Sequence, residues 1–359
     1  MWRRLVTLMR FDRPGARPDL PKVRPSETSL SDTAFDPNPG NLRMFQYVPA
    51  CLKAGAPLVV TLHGCGQAAA GYDQGAGWCQ LADQEGFAVL APEQKAVNNP
   101  HTCFDWFNPE DIARDGGEAA SIAAMVRQMV ETNRLDSKRV FITGLSAGGA
   151  MTSVMLATYP ELFAGGAIIA GLPFGAAQNV RDAVEAMRSA PLRTPSQWGE
   201  VVRAASSYAG PWPRISIWHG ALDTTVNLNN AHALVAQWAD LHGVALAAAR
   251  REVVDGAIRL RWDDRLEIYT LPALGHGTPV NSGDLGAAGP FMLEAGISST
   301  RRIAEFWGLA RPESVPRALP IMKAAFLVEG GGQAADILSK PKAEGVIWRA
   351  LKAAGLVRR

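Results

Sequence analysis

Three residues of this 359-residue chain could do chemistry together: Ser146 between Gly144 and Gly148, Asp223 in a polar turn, and His276 between two glycines. Serine is a poor nucleophile at neutral pH. It needs a base within hydrogen-bond reach, and the base needs a carboxylate that fixes its tautomer and stabilises its charged form. Such a set can attack an acyl carbonyl, provided that backbone N–H groups hold the oxyanion that forms. The candidates are the N–H of Ala147, directly after the serine, and that of Cys65 in His63-Gly64-Cys65-Gly66-Gln67.

Each residue also has a plainer reading. A Gly-x-Ser-x-Gly can arise by chance among 35 glycines. Asp223 can serve its turn or cap a helix. Of the six histidines, His63 and His219 end apolar runs and read as packed or hydrogen-bonded loop residues, while His101, His232 and His242 have no catalytic context. His276 lies in a loop that must stay open to solvent and substrate, and it is the best base candidate.

The elements around these residues separate the readings. Val140-Phe141-Ile142-Thr143 is a β-branched and aromatic run suited to a buried strand, and Ala150 to Tyr159 carries apolar residues at helical spacing. A serine on so sharp a strand-to-helix turn is strained and held out from the sheet, at the positive end of a helix. Pro57 to Gly64 reads as the first strong core strand, buried on both faces as parallel strands are. Further strands are expected over Leu42–Pro49, Gly86–Pro92, Ala164–Ala170, Arg214–Gly220 and Leu266–Pro272, with helices over Trp78–Gln84, Arg114–Asn133 and His232–Leu241. Asp223 and His276 then each fall just beyond a strand. This alternation implies right-handed crossovers and an α/β fold with a mainly parallel central sheet and helices on both faces.

Composition narrows the class. Hydrophobic residues make up 47% of the chain, enough to fill the core of a large α/β domain. A net charge of +2 with 19% charged residues argues against a nucleic-acid surface or an acidic-substrate funnel. Basic groups at the two ends (Arg3, Arg4 and Arg10; Arg349, Lys352, Arg358 and Arg359) read as solvated tails. No apolar run is long enough to span a membrane, and Leu5 to Met9 is too short for the core of an ordinary secretion signal. Residues 1–41, rich in proline, read as an arm, residues 42–308 as the catalytic domain, and 171–213 as a short cap insertion. Residues 309–359 read as a C-terminal helical extension, with Gly-linked helical segments over Leu327–Leu356. The cysteines Cys51, Cys65, Cys79 and Cys103 have no zinc-site spacing, and neither metal nor organic cofactor is expected.

Several motifs together resemble the esterase family of poly(3-hydroxybutyrate) depolymerases, whose relatives include feruloyl and acetylxylan esterases. They are Leu62 to Gln67, Cys103-Phe104-Asp105-Trp106-Phe107, Gly144 to Met155, Phe163 to Gly175, His219 to Val226 and Gly275 to Pro279. The resemblance covers residues 42–308. It implies an α/β-hydrolase fold, Ser146, Asp223 and His276 as the triad, and Cys65 and Ala147 as oxyanion donors. It also implies a Cys65–Cys103 disulfide and an extracellular location, whereas the missing secretion signal favours reduced thiols in the cytoplasm. Cys51 and Cys79 are left unassigned.

The expected activity is a serine ester hydrolase acting on hydroxyalkanoate esters, oligomeric or polymeric, with feruloyl or acetyl esters of polysaccharide as the alternative. Trp78, Trp106, Phe107, Phe174 and Trp218 are the aromatics expected along an apolar cleft, although aromatics at such positions are often simply core. A peptidase on the same triad lacks the propeller or large cap expected of one. A non-catalytic hydrolase-like binding protein is the rival of another class, and the intact nucleophile, acid and base argue against it.

Overall fold

A computed structural model describes residues 29–311. Among them, ten strands form one sheet: β1 (Ser31–Thr33), β2 (Arg43–Tyr47), β3 (Leu58–Leu62), β4 (Ala88–Glu93), β5 (Val140–Leu145), β6 (Gly165–Ile169), β7 (Arg214–Gly220), β8 (Arg250–Val254), β9 (Ala257–Trp262) and β10 (Leu266–Leu271). They lie in the order β1-β2-β4-β3-β5-β6-β7-β10-β9-β8. The run from β4 to β10 is parallel, and the pairs at each edge are antiparallel. A separate two-stranded sheet pairs β11 (Thr278–Val280) with β12 (Met292–Glu294).

Central strands are largely apolar because both of their faces are covered. Every residue of β3 and β5 is buried. Successive side chains point to opposite faces, so Leu58, Val60 and Leu62 enter one core while Val59 enters the other. The helices, in chain order, are α1 (Ala69–Ala76), α2 (Trp78–Glu85), α3 (Pro109–Ile112), α4 (Gly117–Thr132), α5 (Ala147–Thr158), α6 (Val180–Arg188), α7 (Pro195–Arg203), α8 (Asn229–His242) and α9 (Ser299–Trp307). Side chains of α4, α5, α7 and α8 fill the first core, and those of α1, α2 and α9 the second. This is an α/β-hydrolase architecture.

Helix α5 is buried on all sides. Its polar side chains are therefore bonded internally: Thr152 Oγ1 donates to the Gly148 carbonyl at 2.9 Å and Ser153 Oγ to that of Leu172 at 2.8 Å.

The structure departs from the expectations at the margins. The arm expected over residues 1–41 contributes an edge strand, Ser31–Thr33, while residues 1–28 lie outside the described residues. Of the C-terminal extension only residues 309–311 are described, with Leu309 and Ala310 buried; the segments expected over Leu327–Leu356 lie outside the described residues. The hairpin β8–β9 was not expected. Its turn, Asp255-Gly256, places both residues at positive φ (48° and 80°), the geometry that favours an Asp-Gly pair. Segment 171–213 folds into α6 and α7. Helix α7 packs on α8, where the Gln237 side chain donates to the carbonyls of Phe174 and Trp198.

Candidate active site

Ser146 lies between β5 and α5 with φ 57° and ψ −116°, a strained conformation for a residue with a Cβ. Close approach of backbone makes it possible. A Cβ at Gly144 would stand 2.3 Å from the Gly148 carbonyl oxygen, and one at Gly148 would stand 2.3 Å from that of Leu62. The serine's own N–H donates to the Ile169 carbonyl at 2.9 Å and is thus engaged in the fold. Ala147 begins α5, and its N–H is among those that a helix start leaves without an intrahelical acceptor.

His276 Nε2 lies 2.9 Å from Ser146 Oγ, and its Nδ1 lies 2.7 Å from Asp223 Oδ2. A proton on Nδ1 donates to the carboxylate and leaves Nε2 free to accept from the serine hydroxyl. The other carboxylate oxygen, Asp223 Oδ1, accepts the N–H groups of Thr225 (2.8 Å) and Val226 (2.9 Å). Burial alone would raise the pKa of Asp223, but the hydrogen bond from His276, the charges of His276 and His219, and the Val226 N–H hold it below the ordinary carboxylate value. Asp223 is therefore an anion at neutral pH. The three residues lie at the carboxyl ends of β5, β7 and β10, where open α/β sheets form their ligand crevices.

The loop after β3 is fixed from several directions. His63 is fully buried and bridges two backbone groups: the Gln94 N–H donates to its Nε2 at 3.1 Å, so Nδ1 carries the proton and donates to the Gly64 carbonyl at 2.9 Å. Burial lowers its pKa and keeps it neutral. A disulfide joins Cys65 to Cys103, and beside it the Gly66 N–H donates to the His101 carbonyl at 2.8 Å. Cys51 and Cys79 are free thiols, exposed and buried respectively.

A cavity of about 480 Å³ opens at Ser146. Cys65, Ala147, Trp106 and Phe107 line it with Leu172, Val226 and the Val180, Ala183, Val184 and Met187 face of α6, and Asn99, His101, Asp105, Asn108, Gln178 and Asn179 add polar groups. Sequence reasoning missed the α6 wall, although an apolar stripe at i, i+3, i+4 and i+7 was there to be read. Trp78, Trp218 and Phe174 are not on the cavity wall. Trp78 is fully buried between Trp307 and Phe87, and Trp218 stacks on Tyr269 at 3.8 Å; both belong to the second core, whereas Ala147, Leu172, Trp106 and Val226 belong to the first. Phe174 is held at α8, its N–H donating to Gln237 Oε1 at 3.2 Å.

Among the described residues, carboxylates of Asp105, Asp111 and Glu118 gather within 4.8 Å of one another. One oxygen of each aspartate and both of Glu118 are already hydrogen-bonded. Asp105 Oδ1 accepts from Asn99 Nδ2, Asp111 Oδ2 from Asn108 Nδ2, and Glu118 from the Gln94 side chain and the Asp105 N–H. Burial, reinforced by the charge of Asp105, raises the Glu118 pKa well above the ordinary value.

Comparison with known proteins places this geometry in a family. Residues 43–259 match the family model described as esterase PHB depolymerase. The chain belongs to that family. It is 42% identical over 285 residues to poly(3-hydroxyalkanoate) depolymerase C of Paucimonas lemoignei, covering 77% of this chain and 69% of the relative. It is 33% identical over 288 residues to an acetylxylan esterase of Coprinopsis cinerea, covering 77% and 76%. Among solved structures, an acetyl xylan esterase from Aspergillus awamori superposes with a TM-score of 0.68 at 29% identity, covering 79% of this chain and 100% of that one. As a member of this esterase family, the chain is a carboxylic ester hydrolase. No helix among the described residues is long and apolar enough to cross a membrane.

Proposed function

We propose that the chain hydrolyses esters of hydroxyalkanoates, oligomeric or polymeric, through an acyl-enzyme on Ser146. His276 takes the serine proton as Oγ attacks the carbonyl, and returns it to the leaving alkoxide when the tetrahedral intermediate collapses. The N–H groups of Cys65 and Ala147 hold the oxyanion. Asp223 keeps the imidazole in its Nδ1-protonated tautomer and stabilises the imidazolium. Water then enters, and the same residues release the hydroxy acid. The observation that carries this reading is the single imidazole spanning Ser146 Oγ and Asp223 Oδ2 at 2.9 and 2.7 Å, at the mouth of a largely apolar cavity.

Short aliphatic acyl groups suit the walls formed by Val180, Val184, Met187, Trp106 and Phe107. Likeness to the depolymerase over most of the chain favours the hydroxyalkanoate ester, and likeness to acetylxylan esterases supports acetyl or feruloyl esters of polysaccharide as the alternative. The Cys65–Cys103 disulfide supports an extracellular location, since such bonds persist in oxidising compartments.

The test is hydrolysis of p-nitrophenyl butyrate, 3-hydroxybutyrate oligomers, acetylated xylan and methyl ferulate by wild type and Ser146→Ala. The expected result is oligomer hydrolysis in the wild type that falls by at least about a thousandfold in the variant. Full activity in Ser146→Ala would sink the nucleophile assignment, and a preference for acetylated xylan or ferulate would move the substrate to the plant wall.

A further inference from the structure

His219, at the end of β7, is not needed by the chemistry above, yet it lies against the carboxylate on which that chemistry depends. Its side chain is fully buried, with Nε2 2.8 Å from the Val226 carbonyl oxygen and 3.5 Å from Asp223 Oδ2. The Val226 N–H in turn donates to Asp223 Oδ1 at 2.9 Å. The three residues thus close a ring of contacts: imidazole to carbonyl, amide to carboxylate, and carboxylate back to imidazole. Asp223 Oδ2 faces two histidines, His276 Nδ1 at 2.7 Å and the more distant His219 Nε2.

The tautomer follows from the partners. A carbonyl oxygen can only accept, so Nε2 of His219 carries a proton. Nδ1 is buried without a partner. As a bare ring nitrogen it leaves no buried N–H unsatisfied, whereas a proton there would. Burial lowers the His219 pKa and outweighs the opposing influence of Asp223 and of the Val226 carbonyl; His276 and His232 lower it further. A neutral His219 contributes a fixed N–H and does not compete with His276 for the charge of Asp223.

We propose that His219 is a positioning residue for Asp223: its Nε2–H pins the Val226 carbonyl and borders Oδ2, so that the turn from Asp223 to Val226 presents the carboxylate to His276 Nδ1. This inference rests on the triad reading and deepens it. Residues far from the reacting atoms can matter in this way because a misplacement of about 1 Å at a catalytic group can cost about a hundredfold in rate.

The test pairs two amides of different reach. Glutamine at 219 places its amide nitrogen near the position of Nε2, and asparagine places its own near Nδ1, where the structure has no acceptor. With p-nitrophenyl butyrate, His219→Asn is expected to lose about tenfold or more in kcat with KM within about twofold. The acid limb of its kcat/KM profile is expected to move to lower pH, because His276 loses a fixed anion that favours its protonated form. His219→Gln is expected to recover most of kcat and the wild-type limb. Equal loss in the two variants, a loss confined to KM, or an unmoved limb in His219→Asn would overturn the proposal.

Should either variant fail to fold, the ring ¹⁵N shifts of His219 in the labelled wild-type enzyme decide instead. A neutral, Nε2-protonated ring throughout the active pH range is expected, and a charged or Nδ1-protonated ring would overturn the proposal. Ser146→Ala, assayed alongside, keeps failure of the triad reading distinct: its full activity would count against Ser146, not against His219.

Discussion

The loop from Asn99 to Asn108 and helix α6 line the same cavity, yet different bonds hold them in place. The loop is joined to the segment after β3 by the Cys65–Cys103 disulfide. It is also bonded through the His101 and Cys103 carbonyls and rooted on Glu118 through the Asp105 N–H. Among the described residues, no disulfide ties down helix α6. Asn179 caps its start, Ala183 and Ala186 are its buried residues, and its end is held by Asn230 Nδ2 on the Ala186 carbonyl and the Asn227 N–H on that of Met187. The covalently and polarly fixed side carries Cys65, whose N–H is the proposed oxyanion donor. We infer that the side carried by α6, which no disulfide ties down, can change with less disturbance to the chemistry. On the proposed reading, one wall sets the reaction geometry and the other the size of the acyl group.

The largest test of that division is Cys103→Ser. Opening a loop whose ends are 38 residues apart is expected to cost about 4 kcal/mol in the chain-entropy estimate, read as a lower urea midpoint. It should also lower kcat on every ester, short or long. An unchanged kcat would mean that the backbone bonds alone hold the oxyanion loop. Next, Val184→Trp on the opposite wall is expected to reduce kcat/KM for butyrate and longer esters by roughly ten- to a hundredfold while sparing acetate, because filling a pocket discriminates by a few kcal/mol at most. Equal loss on acetate and butyrate would show that α6, too, governs the chemistry.

Asn230→Ala removes the bond to the Ala186 carbonyl and is expected to cost about 1 kcal/mol of stability, with KM for butyrate rising more than kcat falls. The reverse split would tie α6 to catalysis. The smallest effect concerns Glu118. Burial raises its pKa in the folded chain above the unfolded value of about 4.5, so the folded state binds the extra proton. Its contribution is therefore most favourable below pH 4.5 and diminishes as pH rises towards the folded pKa. Glu118→Gln is expected to flatten that fall in thermal-melt profiles. An identical profile in the variant would assign the fall to another group.

The parts of this molecule legible in sequence are those whose environment is the same on all sides. Strands β3, β5, β6, β7 and β10 are covered on both faces and are mostly apolar, although β7 holds Ser216 and His219 and β10 holds Glu267, and the candidate triad residues lie just past three of them. The β8–β9 hairpin is half polar, with Arg250, Arg251, Arg259 and Arg261 among its residues, and a search for apolar runs passes over it despite the Asp-Gly turn. Trp78 and Trp218 were misplaced for a different reason. An aromatic near a strand end is equally apolar whichever face it takes, and only the alternation along β7 sends Trp218 into the second core and Ile217 into the first. The same alternation turns His219 away from Trp218 and brings it to Asp223, a relation that becomes visible only once the turn to Val226 is folded.

The outermost strands have a consequence for behaviour at high concentration. An open sheet exposes hydrogen-bonding groups at its borders, and another chain can add to them as a further strand. Among the described residues, one border is the three-residue β1, where Asp32 pairs with Arg43 at 2.6 Å; the other is β8, which opens with Arg250, Arg251 and Glu252. A short strand at one border and a charged one at the other discourage end-to-end sheet growth, and so disfavour fibrous aggregation in a protein whose ten-stranded sheet would otherwise be a template for it.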